Sequence, residues 1–373
     1  MKILIVTHPL GNNYGGLLQA YALQQILKEL GHCPLMMNAR GESLKTKVLR
    51  QLRNSFYSLI GRFYVTQNDK EELSRNMTYF AKTYITPQTP VLRSRKEKQD
   101  YIKRNAINAV VVGSDQVWRP IYLNDIYHYF LDFTEGLNVK RLSYAASFGV
   151  DCWEFSVEQT KRCKQLVAQF DAISVRESSG VTLCEEYLQQ SATLVLDPTF
   201  LLSKEQYMAL VEKENEPVVS GDMFCYILDK SEDTKRTVDV ISASMNYRPY
   251  YCMPKEVEYS RMTKNNKQSF VYPPVTQWIR SVMDAKMVLT DSFHGCVFSI
   301  IFNKPFWIVV NRKRGAARFV SLLNMFGLEN RIVNACELEC KDWNEPIDWE
   351  SVNQIIMQWK EKSIQFLIDN LSD

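Results

Sequence analysis

The sequence predicts an α/β protein with two doubly wound domains that face each other across a cleft. The chain has 373 residues, about twice the length of a typical domain. Short apolar segments alternate with helical segments in its second half, as in parallel sheets covered by helices on both faces. The segment 2–38 has the pattern strand, helix, strand, which is how such a domain begins.

The N-terminal domain is expected to span residues 1–165. Its first strand is the apolar segment 2–7, and a loop rich in Gly and Asn leads into a helix from about Leu17. This helix ends in a basic turn followed by Gly31, the usual chemistry of a helix C-terminus. The other elements predicted here are strands at 33–38, 107–112 and 142–146 and a connecting helix within 152–170.

The C-terminal domain is expected to span residues 166–345, and a terminal helix to occupy 346–373. Both predictions follow from apolar residues at strand or helix spacing. The predicted strands are 172–175, 193–196, 224–228, 250–253, 287–290 and 306–310. The predicted helices are 177–189, 203–213, 232–245, 275–285, 294–302, 316–326 and 348–371.

Composition excludes several classes of protein. Forty-five basic and 42 acidic residues leave a net charge of +3, which gives no reason to expect nucleic-acid binding. The longest apolar stretch, 296–310, is interrupted by polar residues and is too short to cross a bilayer. The nine cysteines and four histidines form no C-x-x-C or H-x-x-H pair, so no metal site is predicted. Without a signal sequence, we expect reduced thiols and a cytoplasmic location.

Residues 40–62 carry six basic side chains and one acidic one. Apolar residues between 44 and 60 fall at helical spacing, so this segment is predicted to be a basic amphipathic helix. Such a helix either contacts the inner face of an anionic membrane or presents a solvated basic face while it packs against its own domain.

Ligands of parallel α/β sheets bind beyond the carboxyl ends of the strands, where loops lead into helices. The segment TDSFHG at 290–295 is such a loop, and the helix N-terminus after it suits an anion. Ser292 can donate a hydroxyl, Gly295 permits close approach, and His294 can donate a proton or contact phosphate. Alternatively, Asp291 or Ser292 only caps the helix, and His294 is packed.

Basic residues follow two other predicted strands. Arg176 comes after the strand 172–175, where it either grips a carboxylate or phosphate or forms an internal ion pair with Glu177 or another acid. Together with His294, the basic residues predict a cationic pocket for a small, multiply charged anion. The residues that follow the strand 306–310 are Arg312, Lys313, Arg314 and Arg318.

Two polar loops complete the candidate site. GSDQVW at 113–118 offers Asp115 and Trp118 to hold a sugar by hydrogen bonds and stacking, although the same residues are common in turns. GNNYGG at 11–16 loosely resembles a phosphate-cradling loop, but it matches neither G-x-G-x-x-G nor the P-loop spacing. No G-x-S-x-G elbow supports an esterase. The further substrate-binding candidates in these loops are Asn13, Tyr14, Gly15 and Gln116.

Considered together, the motifs resemble the polysaccharide pyruvyl transferase family over nearly the whole chain. Each segment alone is moderately specific, and their order and spacing carry the resemblance. The matching segments are NYGG at 13–16, LQAYALQ at 18–24, VGSDQVW at 112–118, SYAASFG at 143–149, SVRE at 174–177, LDPT at 196–199, TDSFHG at 290–295 and RFVSLL at 318–323.

The resemblance implies a GT-B-like fold, with two Rossmann-like domains and a site between them. The N-terminal domain is the expected acceptor side, and the C-terminal domain is the expected phosphoenolpyruvate side. It also implies transfer of the enolpyruvyl unit of phosphoenolpyruvate onto two sugar hydroxyls, giving a cyclic pyruvate ketal without a metal or other cofactor. Arg176 and His294 match family positions implicated in holding or activating this donor. Characterised members often carry Arg two residues before the motif histidine, where this chain has Ser292.

The mechanism expected from the resemblance gives each candidate a role. His294 acts as the general acid or contacts phosphate, and Arg176 and Arg318 neutralise the donor's charges. Asp115 is the base or orients an acceptor hydroxyl. The acceptor implied is a sugar of a cell-surface glycan, sometimes lipid-linked. The alternatives are a GT-B glycosyltransferase that uses a nucleotide sugar and a non-catalytic saccharide-binding protein of the same fold.

Overall fold

The structure is a computed structural model that describes residues 1–38, 65–229, 231–256, 258–263, 265–310, 316–333 and 338–372. The predicted basic helix at 44–60 lies outside the described residues, as do Arg312, Lys313 and Arg314. Across the described segments, no helix combines the length and the apolar character needed to cross a membrane.

Among the described residues, the first seven strands form one parallel sheet in the order β3-β2-β1-β4-β5-β6-β7. The chain adds strands on one side of β1 and then on the other, so β1 and β4 flank the point where the strand order reverses. A crevice opens at their carboxyl ends, which is where such sheets bind ligands. The strands are β1 (Lys2–Val6), β2 (Cys33–Asn38), β3 (Gln88–Val91), β4 (Ala109–Val112), β5 (Lys140–Ala146), β6 (Ala172–Val175) and β7 (Thr193–Leu194).

The remaining strands of the described chain form a second parallel sheet in the order β12-β11-β10-β8-β9. Its strand order reverses between β8 and β10, so this sheet has a crevice of its own at their carboxyl ends. The strands are β8 (Met223–Tyr226), β9 (Pro249–Tyr250), β10 (Met287–Thr290), β11 (Phe306–Val309) and β12 (Ile332–Val333).

Helices connect the strands and cover both sheets. Most begin with a Ser, Thr, Asp or Asn whose side chain accepts a hydrogen bond from the first turn, as for Asn13 and Ser203. The helices are α1 (Tyr14–Glu29), α2 (Gln67–Leu73), α3 (Arg75–Tyr84), α4 (Arg95–Arg104), α5 (Ile126–Tyr129), α6 (Val157–Val167), α7 (Ser178–Leu183), α8 (Lys204–Lys213), α9 (Glu232–Met245), α10 (Val275–Asp284), α11 (Phe293–Ile301), α12 (Ala317–Phe326) and α13 (Trp349–Leu371).

Alternate residues of the central strands enter cores on opposite faces of each sheet. In β1, Ile3 and Ile5 enter one core, and Leu4 and Val6 enter the other. The core that contains Ile3 also contains Phe224 of β8, so the two domains share one apolar interior. Both sheets are therefore doubly wound, and the predicted α/β fold class is confirmed.

The domain boundary predicted at residue 165 lies too early in the chain, because the strands β6 and β7 that follow it belong to the first sheet. β6 pairs with β5 and β7 of the first sheet, whereas the predicted division placed residues 172–194 in the second domain. The helix Val157–Val167, which was predicted to connect the domains, instead connects β5 to β6. The chain passes to the second sheet only between β7 and β8. The sequence could not show this, because strand spacing alone does not reveal which sheet a strand joins.

The terminal helix α13 returns to the first domain. The backbone N–H of Leu196 donates to Ser363 Oγ at 2.9 Å, and the ring of Phe366 lies 6.3 Å from that of Tyr144. Both helix residues are buried, Ser363 completely. The predicted helix is therefore confirmed, and it joins the last residues of the chain to the N-terminal domain.

Tyr14 connects the domains from the first turn of α1. Its hydroxyl donates to the carbonyl oxygen of Pro273 at 3.0 Å, and its ring stacks on Trp278 of α10 at 5.8 Å. Only 1% of Tyr14 is exposed. The prediction that Tyr14 binds substrate is therefore not supported, because the side chain is occupied in the domain interface.

Replacing Tyr14 tests this interface. Tyr14→Ala removes a buried ring, so we expect the free energy of unfolding to fall by about 3–5 kcal/mol. Tyr14→Phe keeps the ring and loses one hydrogen bond, for an expected loss of about 0.5–1.5 kcal/mol. Urea denaturation of the two variants measures both values, and equal stabilities would contradict a packing role.

Candidate functional site

A cavity of about 490 Å³ lies between the crevices of the two sheets. One wall comes from the first domain and the other from the second, so both strand-order reversals meet at this cavity. A larger cavity of about 820 Å³ lies beside α13, where it meets the first residues of β6 and β7, at the opposite edge of the first sheet. The smaller cavity is lined by His8, Asn13, Asp115, Gln116, Tyr122, Leu228, Asp291, Ser292, Phe293, His294 and Arg318.

Behind this cavity lies the buried carboxylate of Asp197, in the segment LDPT. Its Oδ2 accepts hydrogen bonds from Arg176 Nη1 at 2.6 Å and from Ser114 Oγ at 2.8 Å. Its Oδ1 accepts from the backbone N–H and the hydroxyl of Thr199 at 3.1 and 2.7 Å. His294 Nε2 lies 3.7 Å from Oδ2. Burial alone would raise the pKa of Asp197, but His294 and Arg176 hold that pKa well below its usual range.

Arg176 is buried within a group of carboxylates. Besides Asp197, it pairs with Asp115 at 3.3 Å and with Glu177 at 3.9 Å, and its Cζ lies 4.4 Å from the Phe293 ring centroid. A buried guanidinium requires such partners because desolvation is costly. The predicted alternative of an internal ion pair is thus what the structure shows. The expectation that Arg176 contributes free positive charge to a cationic pocket was wrong.

Among the described arginines and lysines, Arg318 is the one that lines the cavity. It is 9% exposed, and its Nε is buried without a hydrogen-bond partner in the described part of the chain. Burial and the neighbouring charge of Arg176 lower its pKa to about 10, so the guanidinium stays protonated at neutral pH. A guanidinium can donate five hydrogen bonds, and here that capacity is directed at a cavity rather than at a protein carboxylate.

His294 lies in the first turn of α11, between Asp197 and Gly15. Its Nε2 is buried and points toward Asp197. A Cβ added to Gly15 would lie 2.0 Å from Nδ1, so the ring fits only because residue 15 has no side chain. Gly295 is similar, because a Cβ there would lie 2.2 Å from Thr290 Oγ1. Both glycines, predicted to bind substrate, permit close packing instead.

The start of α11 is open toward the cavity. Ser292 occupies the N-cap position, but no side-chain hydrogen bond caps the helix. The carboxylate of Asp291 instead accepts the backbone N–H groups of Leu228 and Asp229, each at 2.7 Å, and so joins β10 to the end of β8. The capping alternative is therefore wrong for both residues, and Ser292 lines the cavity.

Asp115 lies on the first-domain wall with a backbone φ of 79°, an uncommon conformation for a residue other than glycine and one that is often found at functional sites. Its Oδ1 accepts the backbone N–H of Gln116 at 2.9 Å and Arg176 Nη2 at 3.3 Å. Burial raises its pKa, but Arg176, His8, His294 and Arg318 outweigh this effect and lower the pKa to about 2. Asp115 is therefore ionised at neutral pH.

Trp118 does not reach the cavity. It is fully buried, stacks on Phe130 at 4.9 Å, and donates from Nε1 to the carbonyl oxygen of Tyr129 at 3.0 Å. The ring is thus unavailable for stacking on a sugar. The exposed aromatic residue at the cavity is Tyr122, four positions further along the chain.

The family model for polysaccharide pyruvyl transferases matches residues 13–313, which include every candidate residue except Arg314 and Arg318. The chain belongs to this family. None of the curated proteins matches the chain in sequence.

Solved structures show that this pyruvyl transferase family member has a GT-B fold. S. aureus MnaA in complex with UDP matches with a TM-score of 0.53 and 12% identity, covering 100% of this chain and 98% of that one. UDP-N-acetylglucosamine 2-epimerase from Rickettsia bellii gives 0.51 and 10%, covering 100% and 99%. Arabidopsis thaliana UGT89C1 with UDP-L-rhamnose gives 0.52 and 7%, covering 98% of each chain.

The sequence did not identify three residues of this site in the pyruvyl transferase family member. Asp197 had a signal, since the LDPT segment was part of the family resemblance. His8 follows β1 at the crevice and could have been found by the same rule that selected Asp115. No sequence pattern identified Tyr122, because only the tertiary structure shows that Tyr122 is exposed at the cavity and that Trp118 is buried.

Gly15→Ala tests the contact between α1 and His294. The added methyl would collide with the imidazole, and we expect a loss of stability of about 1–3 kcal/mol and displaced His294 ring signals in NMR spectra. Gly16→Ala is the matched control, because its Cβ would meet only the Asn13 amide at 3.1 Å. Unchanged stability and ring signals in Gly15→Ala would contradict the contact.

Asp115→Asn tests the charge cluster through its pH dependence. The pKa of Asp115 falls from an ordinary value of 3.8 to about 2 on folding, so its ionised form adds roughly 2 kcal/mol of stability. That contribution is complete above about pH 5 and is lost as the pH falls through about 4 toward 2. We therefore expect the wild type to exceed Asp115→Asn in stability at pH 5–7 and the difference to shrink below pH 4, as measured by urea denaturation. A difference that grows on acidification would contradict the assignment.

Proposed function

We propose that the chain transfers the enolpyruvyl unit of phosphoenolpyruvate onto two hydroxyls of one sugar, forming a cyclic ketal on a cell-surface polysaccharide or its precursor. Family membership supports a polysaccharide pyruvyl transferase. The observation that carries the donor assignment is the buried Arg318, whose Nε has no hydrogen-bond partner among the described residues and which shares one cavity with His294 between the domains.

The donor side of the cavity is the wall of the second domain. Phosphoenolpyruvate carries about three negative charges at neutral pH. Arg318 and the open N-terminus of α11 favour this anion, and Ser292 adds a hydroxyl donor where relatives often carry arginine. Arg176 supports the site indirectly, since its charge is already matched by Asp115 and Asp197.

His294 is the proposed general acid. Its Nε2 lies 3.7 Å from Asp197 Oδ2, and Nδ1 is the nitrogen through which we propose that the proton moves. The proton adds to the methylene carbon of the donor, and positive charge develops at the adjacent carbon. A sugar hydroxyl adds there, and its proton returns to the now neutral imidazole of His294. A second hydroxyl then displaces phosphate, which takes up that hydroxyl's proton.

Asp115 is proposed to orient an acceptor hydroxyl. The prediction from sequence left two roles open, base or orienting group. A pKa of about 2 makes its carboxylate a weak base, because efficient general bases have a pKa near the working pH. The ionised carboxylate is nevertheless a strong hydrogen-bond acceptor for a hydroxyl.

Phosphate release tests the proposal directly. With phosphoenolpyruvate and a panel of sugar acceptors, the wild type is expected to release phosphate only when donor and acceptor are both present. His294→Ala should lower this rate by about 10²–10⁴-fold, the usual contribution of a general acid. His32→Ala is the matched control, since His32 lies beside β2 and away from this cavity. Unchanged turnover in His294→Ala would remove His294 from the mechanism.

Thermal-shift measurements separate the donor from its rival. The structural similarity to UDP-bound proteins makes UDP-N-acetylglucosamine the probe for a nucleotide-sugar glycosyltransferase. A ligand at 100 times its Kd stabilises its protein by about 2.7 kcal/mol. We expect phosphoenolpyruvate to raise the melting temperature and UDP-N-acetylglucosamine to leave it unchanged, and the reverse pattern would favour the glycosyltransferase.

A further inference from the structure

We propose that the ring of Tyr122, on the first-domain wall of the cavity, is the surface on which a pyranose of the acceptor stacks. This inference rests on the proposed function. It replaces Trp118, which the structure buries, with an aromatic residue that is accessible from the cavity.

Tyr122 is placed for such a role. It ends the short turn Pro120–Tyr122, lines the cavity and is 52% exposed. An exposed large aromatic side chain at a cavity mouth offers an apolar face for the C–H groups of a sugar ring and a polar edge for its hydroxyls. Its neighbour Ile121 is also exposed, at 60%, but does not line the cavity.

Arg119 holds the Tyr122 ring in one orientation. Its Cζ lies 4.6 Å from the ring centroid, and its Nη1 donates to the tyrosine hydroxyl at 3.1 Å. Arg119 is itself 3% exposed and is fixed by two hydrogen bonds to Glu154, at 3.0 and 3.1 Å. The guanidinium covers one face of the ring and orders it before a ligand arrives. An ordered ring binds with less loss of conformational entropy.

Polar groups beside the ring match a pair of hydroxyls. The Gln116 Oε1 accepts Arg119 Nη1 at 3.2 Å, which leaves the amide nitrogen as a donor for a ligand. Asp115 supplies an ionised acceptor next to it. A donor and an acceptor side by side can hold two neighbouring hydroxyls, and a cyclic ketal requires two hydroxyls of one sugar.

The two walls of the cavity therefore differ in chemistry. The second-domain wall presents Arg318 and suits an anion, whereas the first-domain wall presents an aromatic face and the carboxylate of Asp115. A carboxylate repels phosphate, so the Tyr122 wall favours a neutral sugar over a nucleotide diphosphate. His294 lies between the walls, next to both proposed reactants.

The test measures sugar binding directly, without turnover. Methyl β-D-glucoside, methyl β-D-galactoside and methyl α-D-mannoside are titrated by NMR against the wild type, Tyr122→Ala, Tyr122→Phe and Ile121→Ala. We expect at least one glycoside to bind, and Tyr122→Ala to weaken it by roughly tenfold, as expected for loss of one stacking contact. Tyr122→Phe keeps the ring and should remain close to the wild type, as should the control Ile121→Ala.

Two results would overturn the proposal: unchanged glycoside binding by Tyr122→Ala, or no binding of any of the three glycosides to the wild type. If the wild type binds UDP and Tyr122→Ala does not, the proposal is also overturned, since the ring would then stack on a nucleobase. Failure of phosphoenolpyruvate to raise the melting temperature would count against the donor alone. Glycoside binding that depends on Tyr122 would survive that failure, so the two proposals can fail separately.

Discussion

The site depends on one buried carboxylate, Asp197, which Arg176 of the first domain and His294 of the second share. Its desolvation is costly, and the cost is offset by charge-assisted hydrogen bonds from Arg176 and by Thr199. Breaking such a buried pair typically costs about 3–5 kcal/mol. The interaction therefore fixes the imidazole relative to the first sheet, and it couples the alignment of His294 to the closure of the domain interface.

The two buried arginines near the cavity differ in how many carboxylates surround them. Arg176 is matched by Asp115, Asp197 and Glu177, so this arginine organises the protein rather than a ligand. Arg318, without such partners in the described residues, retains its hydrogen-bonding capacity. Two arginines that look equivalent in the sequence thus differ in role, because one lies among acids and the other at the cavity.

The sequence predicted the sheet-forming segments well because alternation of apolar strands and helices is a local property. It did not predict β3, a short edge strand that contains Pro90, or the domain that β6 joins, because pairing is a long-range property. The site was predicted only in part, because some of its contacts are local and others join residues that are far apart in the sequence. Strand ends identified His294, Asp115 and Arg318, but the partner of Arg176 lies 21 residues away, and the burial of Trp118 depends on the whole first-domain core.

The return of α13 to the first domain means that the chain crosses between the two halves twice, once after β7 and once before the last helix. The two halves are therefore joined by two covalent connections. A break in the chain at either connection would leave the two halves joined through the other.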